Sequence, residues 1–169
     1  FSQLKEMLVT IPESATGKRD KRNRANQIES LNSKIGIGQS KAYVLADEMG
    51  FDYLCVDEAH NFTKVFSSVR SNDGKGATDY EIYQKDSARS VKMFFITNYI
   101  QRMNDYRNIV LLTATPFNNN PLEVFGLLAL TDYKGLKDSG VNNIQTFFDN
   151  FIDQTFESVV KADLTIDSK

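Results

Sequence analysis

The sequence holds a single cysteine, Cys55, which excludes an internal disulfide and any four-cysteine metal site. It has no uninterrupted apolar run near the ~20 residues that cross a bilayer, and no charged-then-apolar leader opens it. Together these absences read as a chain of the reducing cytoplasm. Neither sign of charge dominates. Lys and Arg number 20 against 22 Asp and Glu, a net charge of −2. That excludes a polycation gripping nucleic acid by bulk charge, although a local basic face stays open. Internal repeats and low-complexity tracts are absent too. The chain starts on Phe1 rather than Met, which reads as a cut end.

What is present is ordinary for a folded domain: 169 residues, 41% hydrophobic and 25% charged, enough for one core. Phe1, Leu4 and Leu8 fall at helical spacing, and Pro12 ends that segment. The basic run Lys18-Arg19-Asp20-Lys21-Arg22-Asn23-Arg24 reads first as a solvated linker. Its cations Lys18, Arg19, Lys21, Arg22 and Arg24 are the candidate nucleic-acid contacts. A helix with a narrow stripe of Ile28, Leu31 and Ile35 follows, broken at Gly36 and Gly38. Another is expected over Lys41 to Met49, with Gly50 in the left-handed conformation that ends many helices.

Two short apolar runs, Tyr53 to Val56 and Ile109 to Leu112, suit strands buried on both faces, as in a parallel sheet. The residues between them, 57–108, are far too many for a hairpin and fit a crossover. The crossover helix is predicted over Ala88 to Met103. Residues 63–86, rich in Ser, Asn, Asp and Gly, read as an exposed flexible insertion. Asn120 is placed to cap a helix with Pro121 at its first position and Glu123 at its third; Leu122, Phe125 and Leu128 form its apolar side. Ile144, Phe147, Phe148, Phe151 and Ile152 give the stripe of a last, core-facing helix. Cys55 reads as a small core residue. The predicted class is α/β, mostly helical, with a small parallel sheet of at least two strands.

In open α/β sheets the ligand site lies beyond the carboxyl ends of the strands. Asp57-Glu58-Ala59-His60 follows the first run, and Thr113-Ala114-Thr115-Pro116 follows the second. A carboxylate there suits Mg²⁺ held largely through water and phosphate. A neighbouring glutamate can orient an attacking water, since phosphoryl transfer depends on positioning and charge neutralisation.

These strings resemble motifs II and III of DEAH-type superfamily 2 helicases. The longer stretches Gly50 to Phe62 and Thr113 to Glu123 are similar to the Swi/Snf-like helicase part of phage and mobile-element proteins that carry an N6-adenine DNA methylase. The resemblance implies an incomplete RecA-like P-loop NTPase lobe over residues 1–133. Residues 134–169 would be a helical extension leading toward a second lobe in the same parent chain. It implies Asp57 as the metal residue and Glu58 as the catalytic base, with His60, Thr113 and Thr115 coupling the nucleotide site to movement. ATP and Mg²⁺ are the implied cofactors and DNA the implied partner.

The sequence departs from that family in two respects: the second motor lobe with its arginine finger is absent, and no stretch reads G-x-x-x-x-G-K-[ST], the loop that cradles phosphates. Gly17-Lys18 is followed by Arg19, and Gly74-Lys75 by Gly76. The isolated chain is therefore expected to bind and hydrolyse no ATP. Asn120-Pro121 is no methylase signature, because Leu122 and Glu123 stand where a proline and an aromatic are needed. The other readings are a helicase-like scaffold without catalysis and a metal-dependent nuclease, for which further strand-end carboxylates are lacking.

Overall fold

A computed structural model of the chain describes residues 8–9, 13–14, 16–36, 49–67, 84–117, 120–141, 143–152, 158–160 and 166–168. Two parallel strands, β1 (Leu54–Val56) and β2 (Ile109–Leu111), pair in the register Leu54↔Ile109, Cys55↔Val110, Val56↔Leu111. Helices α1 (Lys18–Ile35), α2 (Ala88–Met103), α3 (Pro121–Asp138) and α4 (Ile144–Phe151) pack around them. The architecture is α/β and mostly helical, as expected.

Helix α2 forms the crossover between the strands, with bounds matching its apolar span. It starts because the Ser87 side chain accepts from the Ser90 N–H at 3.1 Å, and it buries Val91, Phe94, Phe95 and Ile100. The predicted cap of α3 is present, Asn120 Oδ1 accepting from the Leu122 N–H at 2.8 Å. Helix α4 closes a capping box between Asn143 and Thr146. The core is a run of aromatic rings. Phe66 lies 5.9 Å from Phe94, 4.8 Å from Phe125 and 6.1 Å from Tyr133, and Phe125 lies 5.0 Å from Phe147. Such tilted and edge-on pairs add to simple area burial.

Several expectations are corrected. The basic run is no linker: it forms the first turns of α1, since Lys and Arg are good helix formers. Residues 63–86 are not an exposed insertion at their ends, where Thr63, Val65, Phe66 and Gln84 are buried. The two feet are stitched together. Ser67 Oγ donates to Asp86 Oδ1 at 2.6 Å, Gln84 Nε2 donates to the Phe66 carbonyl at 3.0 Å, and Lys34 pairs with Asp86.

The strands are not buried on both faces. Val56 is buried, but Cys55 is exposed, and so are Tyr53, Val110 and Leu112 on the same side of the sheet. Among the described residues the helices cover one face only, so Cys55 is not a core residue. Leu128, expected on the apolar side of α3, and Phe151, expected on the core-facing stripe of α4, are also exposed.

Residues 134–169 are not helical throughout, because β3 (Ser158–Val160) and β4 (Ile166–Ser168) form an antiparallel pair after α4. The boundary at 133–134 falls inside α3, just past a kink at Asp132. Of the segment Phe1 to Leu8, only Leu8 is described; residues 41–48 of the predicted third helix lie outside the described residues. Gly50 does take the expected left-handed conformation, with φ +68°. No described helix is long and apolar enough to cross a membrane.

Candidate active site at the strand ends

The two strand-end segments run on side by side past the sheet. The Leu112 N–H donates to the Val56 carbonyl at 2.8 Å, and the Ala59 N–H donates to the Leu112 carbonyl at 2.9 Å. The ladder therefore holds Asp57 and Glu58 next to Thr113. After Val56 the chain turns sharply. Glu58 has φ 52° and ψ 46°, a left-handed conformation that is uncommon for a residue with a Cβ. Asp57 Oδ1 accepts the Glu58 N–H at 2.8 Å, fixing this carboxylate across the turn. A 3₁₀ turn, Ala59–Phe62, follows and buries Ala59 completely.

That turn is held from below. Thr63 Oγ1 donates to the His60 carbonyl at 3.1 Å, and α3 lies close against Thr63 at Gly126. A Cβ at Gly126 would stand 2.0 Å from the Thr63 carbonyl oxygen, so only glycine permits this approach.

His60 joins the two segments. Its Nδ1 lies 3.1 Å from Glu58 Oε2 and 3.2 Å from Thr113 Oγ1. Thr113 Oγ1 in turn accepts the Thr115 N–H at 3.1 Å. With Nδ1 protonated, His60 donates to the Glu58 carboxylate; with Nδ1 bare, it accepts from the Thr113 hydroxyl. Glu58 and Asp57 are exposed and His60 is partly buried, so the carboxylates face solvent while the histidine rests against the second segment.

Of the residues singled out in the sequence, the structure unites Asp57, Glu58, His60 and Thr113 directly. Thr115 joins through its backbone N–H. The basic residues of α1 stand apart. Lys18, Arg19, Lys21 and Arg22 are exposed, with no hydrogen bond or ion pair to the strand ends among the described residues. The left-handed Glu58 has no signal in the sequence, whereas Gly126, a glycine inside a helical pattern, is one that marks a close approach.

One oxygen of Asp57 is engaged by the Glu58 N–H, which leaves the other for a ligand. Among the described residues no group of three or more His, Cys, Asp or Glu side chains could hold an ion. The site therefore does not fit an all-protein cage. It does fit a cation that keeps water and phosphate as most of its ligands, the usual habit of Mg²⁺.

Fold and site define an α/β domain with an acidic, histidine-linked centre at the carboxyl edge of a parallel sheet. The chain is similar to the Defense against restriction protein B of Escherichia phage P1, at 30% identity over 99 residues. That match covers 57% of this chain and 4% of the phage protein's length. No family model matches the chain, and no solved structure matches it.

Proposed function

We propose that this chain is part of the first RecA-like motor lobe of an ATP-dependent DNA helicase or translocase of the DEAH type. The observation that carries the reading is the position of His60 Nδ1, within 3.1 Å of Glu58 Oε2 and 3.2 Å of Thr113 Oγ1. A histidine bridging a strand-end carboxylate to the hydroxyl after the neighbouring strand is a two-position switch.

In this reading Asp57 is the residue that would hold the cation, largely through water. Mg²⁺, when bound, would supply neutralisation of phosphate charge. Glu58, exposed and fixed by its left-handed backbone, orients the attacking water and accepts its proton. When Glu58 engages water instead of His60, His60 turns to Thr113, and the segment Thr113 to Pro116 registers the change. The phosphate loop is assigned to sequence outside residues 1–169, since none of this chain matches it. The uncovered sheet face with Tyr53, Val110 and Leu112 supports further layers of a larger lobe, because parallel sheets are covered on both faces. DNA is favoured as the track because the phage relative is named for defense against restriction.

The test is DNA-stimulated ATP hydrolysis by the full open reading frame that carries this chain. Glu58→Gln is expected to lower the rate on the order of 10²-fold or more, the usual worth of a positioned base. Thr113→Ala is expected to keep hydrolysis but lose its stimulation by DNA. An unchanged rate in the Glu58→Gln protein would sink the motor and leave a helicase-like scaffold without catalysis.

A further inference from the structure

The 3₁₀ turn Ala59–Phe62 carries His60, and each of its residues is held in place. Ala59 is buried, and its N–H donates to the Leu112 carbonyl at 2.9 Å. The His60 carbonyl accepts from Thr63 Oγ1 at 3.1 Å. Asn61 donates twice to the Glu58 carbonyl, from its N–H at 3.0 Å and from Nδ2 at 3.2 Å. Phe62 is held differently. Its half-buried ring packs against the aromatic core, and the guanidinium of Arg89 stands over it, 5.4 Å from the ring centre. That is a cation–π distance.

Arg89 comes from α2, the crossover helix, and its backbone is fixed relative to the turn. The Ser87 N–H donates to the Lys64 carbonyl at 2.9 Å, just beyond Phe62. The Ser87 side chain then starts the helix by accepting from the Ser90 N–H. Arg89 therefore belongs to the first turn of a helix already tied to the chain that leaves the 3₁₀ turn.

The side chain is at odds with its own helix. The N-terminal end of a helix carries partial positive charge, which disfavours a cation there, and the first turn of α2 holds no acid to offset it. Arg89 is exposed and makes no hydrogen bond or ion pair among the described residues. A residue that breaks a local rule with no local compensation points to a role elsewhere. The contact that compensates Arg89 is the Phe62 ring.

We infer that Arg89 is a positioning residue for the strand-end site. Its guanidinium clamps Phe62, which fixes the turn so that His60 Nδ1 stays within reach of both Glu58 Oε2 and Thr113 Oγ1. A shift of α2 then moves His60 through Phe62, so the crossover helix is tied to the exchange of His60 between its two partners. The use made of that exchange rests on the motor reading, whereas the clamp is a property of the fold.

His60 is the only histidine of the chain, so its imidazole gives one set of ring-proton signals in the chain 1–169. The test is the nuclear Overhauser contact between that ring and the Thr113 methyl group. Arg89→Gln removes the charge at similar length and is expected to weaken the contact about 2–5-fold, the worth of an exposed cation–π pair. Arg89→Lys keeps a cation and is expected to retain part of it. Phe62→Leu keeps apolar bulk without the ring, and adding Arg89→Gln to it is expected to change nothing further, because the two side chains act as one unit. Circular dichroism melts establish that each variant is folded. A lower melting temperature in Arg89→Gln with an unchanged His60–Thr113 contact would leave Arg89 a contributor to stability and overturn the inference. Equal weakening by Arg89→Lys and Arg89→Gln, or full additivity in the double variant, would overturn it as well. In the full open reading frame, the stimulation of ATP hydrolysis by DNA is expected to fall by a similar factor in Arg89→Gln. If Glu58→Gln leaves hydrolysis untouched while the ring contact still depends on Arg89, the motor reading fails alone. If Glu58→Gln lowers hydrolysis and the ring contact ignores Arg89, the positioning role fails alone.

Discussion

Gly126 shows how one missing carbon positions the strand-end site. Glycine inside a helix costs about 0.5–1 kcal/mol relative to alanine, so propensity alone favours Gly126→Ala. Sterics decide the other way. The added Cβ would sit 2.0 Å from the Thr63 oxygen and 2.9 Å from its carbonyl carbon, both backbone atoms that cannot rotate aside. Gly126→Ala is therefore expected to destabilise the chain by about 3 kcal/mol or more, at or beyond the upper end of overpacking, as a lower urea midpoint at unchanged slope. A midpoint at or above that of the unaltered chain would mean that α3 does not press on Thr63. The strain then reaches the chemistry, because Thr63 Oγ1 holds the His60 carbonyl. Glu58 is the complementary case: its left-handed backbone is a cost of about 1–3 kcal/mol, sustained by the Asp57 carboxylate and the buried Ala59.

Elements are decided by their ends and by what covers them. The α3 cap contributes about 1 kcal/mol, the typical loss when an asparagine cap becomes alanine. Asn120→Ala is accordingly expected to cost that much in thermal or urea denaturation, and Asn120→Asp to cost little; equal losses would show that the side-chain oxygen is not the cap. This end was legible in the sequence because cap, proline and apolar spacing all agree. So were α2, α4 and both strand cores. The coupling of His60 with Thr113 was implied by the resemblance alone, and the strand pairing brings the two side chains together. Burial was harder to read. A run such as Tyr53 to Val56 looks the same whether one face or two is covered, so Cys55 reads as core in the sequence and is exposed in the fold. Val65 and Phe66 sit beside a polar stretch whose average composition hides two buried side chains. Charge alone does not separate linker from helix at Lys18 to Arg24, because the same residues serve both.

At the scale of the whole molecule, the aromatic core ties global stability to pH through Tyr133. Its ring lies 5.3 Å from Phe94 and 6.1 Å from Phe66, and the residue is only 3% exposed. Removal from water penalises the phenolate, and the pKa rises from 10.0 to about 12. A group whose folded pKa is raised holds its proton more firmly in the native state. The stabilisation is therefore complete below the unfolded value, near pH 10, and is lost as pH climbs from there to about 12. Two units correspond to about 2–3 kcal/mol, a large share of a domain's usual margin of about 5–15 kcal/mol. Urea denaturation is expected to show the chain losing about that much between pH 9.5 and the upper limit of the window. Lys134, exposed and held protonated first by its hydrogen bond to Asp138, acts in the same direction, so the decisive comparison is the difference between proteins. Tyr133→Phe keeps the ring and removes the ionisation. Its stability is expected to fall less steeply over that window, and parallel curves for the two proteins would show that Tyr133 ionises without entering the folding equilibrium.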